Sequence, residues 1–198
     1  MKKFLIATIA MLSHIVGLTG VGPAMAQRCL PGMSSVEVTA NMVDGFYTGN
    51  SRNCGYSFGV YYSLFKGHNT NTWSFGGEYL QTYKPYGDKG RIPIADFYAE
   101  AGYDLHLISD YSQTFHLYAG ISALGGYEMV NWGKSVLKDG ATLQAGDAFI
   151  YGGAINVSAD FYLSDNFALG VNIKERFIFG NDTSHFRFSY GAHVKYSF

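Results

Sequence analysis

The chain ends on HFRFSYGAHVKYSF, residues His185 to Phe198, and the reading of this stretch decides the fold. Phe186, Phe188, Tyr190, Ala192, Val194, Tyr196 and Phe198 share one face; His185, Arg187, Ser189, Gly191, His193, Lys195 and Ser197 share the other. A period of two over this length is a strand signal. An aromatic face backed by a basic one is an aggregation hazard on a strand edge in water. In a transmembrane barrel the same pattern is required, because lipid covers the aromatic face and the lumen solvates the other.

A terminal Phe198, with Tyr196 and further apolar residues at every second position before it, resembles the signal by which outer-membrane barrels are recognised for assembly. At the other end, Lys2 and Lys3 precede an apolar run from Phe4 to about Val21, then Pro23 and the triplet Ala24, Met25, Ala26. This predicts a signal peptide over 1–26 and a mature domain over 27–198. Ala26, Gln27 and Arg28 do not make a lipobox before Cys29.

Composition agrees with export to a membrane. The chain carries 25 Gly, 16 Tyr and 15 Phe against 4 Pro and 15% charged residues, with mean hydropathy near zero. Alternating lipid-facing and lumen-facing positions average to such values. A formal net charge of -1 gives no reason to expect direct nucleic-acid binding. No stretch beyond the signal peptide approaches the ~20 apolar residues of a membrane helix.

The alternation recurs along the chain. Val36 to Met42 reads as a first strand, Gly55 to Phe65 as a second and Thr72 to Thr82 as a third. Tyr83 to Arg91, with Pro85, Gly87, Asp88 and Gly90, reads as irregular. Ala95 to Leu107 and Phe115 to Glu128 follow, joined by the turn Ser109 to Gln113. A long loop, Met129 to Asp147, leads to Phe149 to Leu163, then to Phe167 to Arg176 and the closing strand. The fold class expected is all-β: an eight-stranded antiparallel up-and-down outer-membrane β-barrel, with long extracellular loops and short periplasmic turns. This topology sets Cys29 and Cys54 at opposite ends of the first strand, on the order of 30 Å apart and too far to bridge. A disulfide would need Gln27 to Ser34 to fold back along the barrel.

Eight strands leave an interior that side chains fill rather than a channel. Parity sends Glu78, Asp96, Glu100, Asp104, Glu128 and Asp160 inward, facing Lys174, Arg176, Arg187 and Lys195, with Glu37 beside the closing strand. A lumen charge network is expected, because carboxylates in a dry, unpaired interior carry a large desolvation cost. Glu175 departs from the pattern: its parity points to lipid, which implies a place near the interface or a bulge. A structural network that plugs the barrel is the main reading, and a gated path the second.

Chemistry is scarce. The histidines show no metal-ligand spacing, and the glycine pairs Gly125–Gly126 and Gly152–Gly153 precede no helix that could make a phosphate loop. Ser122 and His116, the one pair suited to a nucleophile and base, face the lumen, so no catalytic activity, cofactor or small-molecule substrate is expected. Trp132, with Lys134 in the longest loop, reads as an interface anchor or a partner-docking residue.

Several words of the sequence carry more than periodicity. QRCLPGM at 27–33, MVDGF at 42–46, FGGEYL at 75–80, RIP at 91–93, GYE at 126–128, VNWGK at 130–134, DGATL at 139–143 and DAF at 147–149 resemble the TraO family of conjugal transfer proteins of Bacteroides-type conjugative transposons. The resemblance spans the mature chain to about Arg176 and implies a component of a mating apparatus, with other transfer proteins and outer-membrane lipid as partners and no catalytic residue to carry over. A barrel too narrow for DNA then implies an anchoring or organising role. A small barrel serving envelope stability or adhesion is the alternative.

Overall fold

In the computed structural model, residues 30–44, 54–66, 70–86, 90–137, 140–143, 146–181 and 185–198 are described. The expected signal peptide and Cys29, with its pairing to Cys54, lie outside them, as do the tips of several expected turns. The remainder forms eight strands: β1 (Ser34–Val43), β2 (Gly55–Lys66), β3 (Asn71–Tyr86), β4 (Gly90–Ser109), β5 (Phe115–Val130), β6 (Ala148–Tyr162), β7 (Phe167–Phe179) and β8 (Phe186–Ser197). Each pairs antiparallel with its neighbour, and β1 pairs with β8 to close the barrel. The last rung is made by Ser34 and Phe198, whose amides donate to each other's carbonyls at 3.0 and 2.8 Å.

Closure is staggered. Followed from Val36 through Tyr62, Phe75, Ala101, Ala123, Gly153 and Phe177, the rungs arrive at Phe186, beyond the point where Val43 ends β1. That offset tilts the strands and sets a bore that side chains can fill. The lower rim is the one where Ser34 and Ser197 lie.

The outer face is apolar apart from Glu175, which stands outward between Ile155 and Phe188. Val38, Val60, Ile121, Ile155, Val171 and Ile173 occupy its waist. Phe115, Phe161, Phe167, Tyr196 and Phe198 ring the lower side; Tyr56, Tyr79, Phe97, Tyr151 and Phe186 ring the upper one. Neighbouring rings touch, with centroids 5.0 Å apart for Phe115–Phe161 and 5.2 Å for Tyr79–Phe97. Aliphatic waist between aromatic girdles is the profile a bilayer selects.

Three expectations need correcting. The described parts of the stretch Tyr83 to Arg91 are strand and not irregular: β3 continues to Tyr86 and β4 begins at Gly90, paired with each other. Pro85 and Pro93 are tolerated because the ladder to β2 stops at Gln81 and the ladder to β5 begins at Ile94, so among the described residues no neighbouring strand requires their amides. The end of β7 also runs past Arg176 to Phe179, and β5 continues to Val130. Glu175 lies in continuous register between Ile155 and Phe188, so it marks no bulge; the break in register falls in β4, between His106 and Ile108.

Two apolar clusters sit inside the bore. Val43, Leu80, Tyr98, Leu124, Ile150, Ala154 and Ile178 pack in the upper half. Phe65, Tyr162 and Ala168 close the lower rim, with Met33 packed against them. Met33 is held there because the segment before β1 continues its pairing with β2: Phe65 donates to the Met33 carbonyl at 3.0 Å.

Candidate functional site

Beside and between these clusters the lumen is charged, in three tiers. In the uppermost, Arg187 of β8 reaches Asp96 of β4 at 3.7 Å, Glu128 of β5 at 3.6 Å and Asp44, just past β1, at 3.7 Å. The Tyr98 hydroxyl donates to Asp96 at 2.8 Å, and the Asn181 amide donates to Glu128 at 2.6 Å.

The middle tier is the most tightly bonded. Arg176 of β7 pairs with Glu78 of β3 and donates to Ser189 at 2.8 Å. Lys174 pairs with Glu100 at 2.9 Å and lies 3.9 Å from Glu78. The Tyr61 hydroxyl stands 2.8 Å from Glu78 and 2.9 Å from Glu100 and accepts from Lys174 at 3.0 Å, so its single proton serves one carboxylate at a time. Gly76, across the ladder from Tyr61, leaves the space that the ring fills; a Cβ there would collide with it. Ser122 donates to Glu100 at 2.5 Å.

In the lowest tier Lys195 bridges Asp160 at 2.5 Å and Glu37 at 3.2 Å, while His193 hydrogen-bonds Asp160 at 2.7 Å. Asp104 departs from expectation. Among the described residues no cation lies within ion-pair distance of it, although Lys174 and Lys195 line the same cavity; the Asn156 amide donates to it at 2.8 Å and the Ser74 hydroxyl at 3.2 Å. The physical reason is its cross-strand partner Gly120, whose missing side chain lets the carboxyl lie along the wall toward Asn156 on the next strand. A cavity of about 60 Å³ lies beside it, lined by Thr39, Asp104, Asn172 and Lys174 among others. That is room for a few waters, with apolar packing above and below it.

The tiers bring together nine of the ten expected network residues, and Asp104 lines the same lumen. Sequence reasoning missed Tyr61, Tyr98, Asp44 and Asn181. The parity of Tyr61 and Tyr98 placed both inward, and a buried phenol needs a partner; that signal was available. Asp44 and Asn181 sit past strand ends, where parity says nothing.

The other candidates separate. Ser122 is engaged with Glu100, whereas His116 contacts His106 at 3.2 Å and the Gln113 carbonyl at 3.1 Å. Six positions along one strand hold the two about 20 Å apart. Trp132 is exposed on a single 3-10 turn, Asn131–Gly133, and Lys134 is exposed directly after it, beyond the upper rim. Trp132 takes the left-handed conformation, φ 55° and ψ 39°, which is costly for a bulky side chain. Its turn is tied by Asn131, which donates to the Lys134 carbonyl at 2.9 Å, and its base by Asp147, which accepts from the Val130 amide at 2.9 Å. Tyr196 and Phe198 both point outward at the lower rim, 53% and 57% exposed.

A closed antiparallel barrel with an apolar exterior and an occluded, charged interior defines the class: a small eight-stranded barrel of the outer-membrane type. Solved structures share this fold at low identity. Ail, the attachment invasion locus protein of Yersinia pestis, in complex with the heparin analogue sucrose octasulfate, is 14% identical, over 85% of this chain and 100% of its own, with a TM-score of 0.50. OprG of Pseudomonas aeruginosa is 11% identical, over 85% and 96%, with a TM-score of 0.54. The Neisserial surface protein NspA is 13% identical, over 85% and 98%, with a TM-score of 0.50. No curated protein sequence matches. Residues 30–198 match the family described as Conjugative transposon protein TraO, and the chain belongs to that family.

Proposed function

We propose that this protein is exported by a cleaved signal peptide and resides in the outer membrane. There it serves as a structural part of the apparatus by which a conjugative transposon moves DNA between cells. It anchors or organises other transfer proteins, and neither passes DNA nor catalyses a reaction. Family membership supports the link to transfer. The single observation that carries the mode of action is the combination of a continuous lipid-type exterior with a bore filled from rim to rim.

The lower rim is then periplasmic and the upper one extracellular. The strained, tethered Trp132 with neighbouring Lys134 is the contact point offered to a protein partner, because strain at an exposed aromatic is retained where geometry matters. Deleting the gene should abolish or sharply reduce transfer in a mating assay, and the protein should fractionate with the outer membrane. Unchanged transfer frequency overturns the transfer role and leaves a general envelope-stability or adhesion barrel. Recovery as a soluble periplasmic protein overturns the membrane placement.

A further inference from the structure

His106 of β4 and His116 of β5 meet inside the lower mouth of the barrel, with Nε2 of His106 3.2 Å from Nδ1 of His116. Ten positions apart in sequence, they have no metal-ligand spacing there, and the fold creates the pair. Unbroken pairing of β4 with β5 would set Ile108 opposite His116 and direct its side chain into the space the two rings share. The break in register after His106 gives that place to Ser109 and turns Ile108 outward, 59% exposed. Ring contacts hold the imidazoles in place: Tyr162 packs edge-on against His116, with centroids 5.4 Å apart, and Tyr118 lies 5.2 Å from the His106 ring.

The tautomers follow from the partners. The Gln113 carbonyl, which can only accept, lies 3.1 Å from Nε2 of His116, so that nitrogen carries the proton of the neutral ring and Nδ1 keeps its lone pair. His106 then donates from its Nε2 to this Nδ1. A backbone carbonyl that takes one ring N–H and leaves the other nitrogen as an electron-pair donor is the arrangement found behind metal-bound histidines. The turn that presents the carbonyl is itself held, because Asp110 accepts from the Thr114 and Phe115 amides at 2.6 and 2.8 Å.

We propose that His106 and His116 form a binding site for one divalent transition-metal cation of the kind imidazole favours, Zn2+, Ni2+ or Cu2+. The cation takes the place of the shared proton. His106 moves that proton from Nε2 to its own Nδ1, so both facing nitrogens present lone pairs, two nitrogen–metal bonds form and no proton is released. Two nitrogens each about 2.0–2.1 Å from a tetrahedral Zn2+ stand about 3.3–3.4 Å apart, close to the spacing already present, and a small rotation of the rings aims both at one ion. Among the described residues no third His, Cys, Asp or Glu completes a cluster, so water fills the remaining positions. The bound ion joins β4 to β5 beside their turn.

Zn2+ titrated into the refolded full mature barrel tests this. The melting temperature should rise saturably as Zn2+ is added, because the ion binds the folded pair, and should return when EDTA removes it. His106→Gln and His116→Gln should each abolish the rise, whereas His185→Gln, at the start of β8 near the upper rim, should keep it. No rise in the unsubstituted protein, or a rise that persists in both the His106→Gln and His116→Gln variants, overturns the proposal. Where His116→Gln fails to fold, as judged by heat-modifiable mobility, His106→Gln at the more exposed ring decides. Cu2+ supplies a readout that needs no variant: electron paramagnetic resonance at stoichiometric metal should show coupling to two imidazole nitrogens, and a spectrum without nitrogen coupling also overturns the proposal.

Discussion

Glu78 lies at the centre of the lumen, fully enclosed by Arg176, Lys174 and the Tyr61 hydroxyl. Its removal as Glu78→Ala leaves the Arg176 guanidinium, 0% exposed, without its counter-charge, a change expected to cost about 3–5 kcal/mol. Tyr61→Phe keeps the ring in its Gly76-lined space and removes only the hydroxyl bonds to charged partners, a loss of about 1.5–3 kcal/mol. Asp104→Asn should change stability by less than about 1 kcal/mol, since its amide oxygen accepts from Asn156 as the carboxylate does and its amide nitrogen donates to the Ser74 hydroxyl, which can accept as well as donate. Urea unfolding of the refolded barrel, followed by fluorescence, measures all three. The contrast between Glu78 and Asp104 also marks a limit of sequence reading. Period-two parity puts both in the lumen, but which carboxylate meets a cation depends on the stagger of closure and on a glycine one strand away.

At the scale of the element, alternation made the strands legible wherever lipid and lumen face each other across one strand. It failed at strand ends. Tyr83 to Tyr86 and Gly90 to Pro93 rise above the apolar belt and, among the described strands, form a ladder with each other alone, so period-two alternation is weak there and the prolines read as breakers. The closing strand β8 was legible throughout, and its last rung is where an assembly defect should appear. Deleting Phe198 removes the donor to the Ser34 carbonyl and an outward aromatic stacked on Tyr196, with centroids 6.3 Å apart. The folded, heat-modifiable fraction on a gel should drop. Arg187→Glu, by contrast, leaves β8 its outward face and should give an assembled barrel of lower stability. The β4–β5 turn has its own acid response. Although what burial it has opposes this, hydrogen bonds from the Phe115 and Thr114 amides hold the Asp110 carboxyl below its usual range. The stabilisation is therefore present above about pH 4 and lost as pH falls through the lowered value in the folded turn. Faster amide exchange at Thr114 and Phe115 on acidification, beyond the intrinsic rate, would register it, and Asp110→Ala should show that exchange at neutral pH.

For the whole molecule, the decisive property is that the bore is filled twice over, by apolar packing near both rims and by ion pairs between them. A bore filled in this way leaves the outer surface and loops as the places where the proposed organising role would be played, and that separates it from a conducting one. Replacing the Glu78–Arg176 pair with two methionines removes both charges together, a change that is often tolerated when packing is preserved. If the lumen serves only to hold the barrel together, the double variant should assemble and support transfer at the frequency of the unsubstituted protein. Trp132→Ala combined with Lys134→Glu leaves every lumen contact in place and changes only the exposed turn. That variant should assemble equally well, as judged by heat-modifiable mobility, and transfer at a frequency lower by at least about tenfold, the equivalent of one lost contact worth 1.4 kcal/mol if transfer scales with partner occupancy. The reverse pattern, with transfer lost on changing the lumen pair and retained on changing the turn, would show a gated path to be the working part.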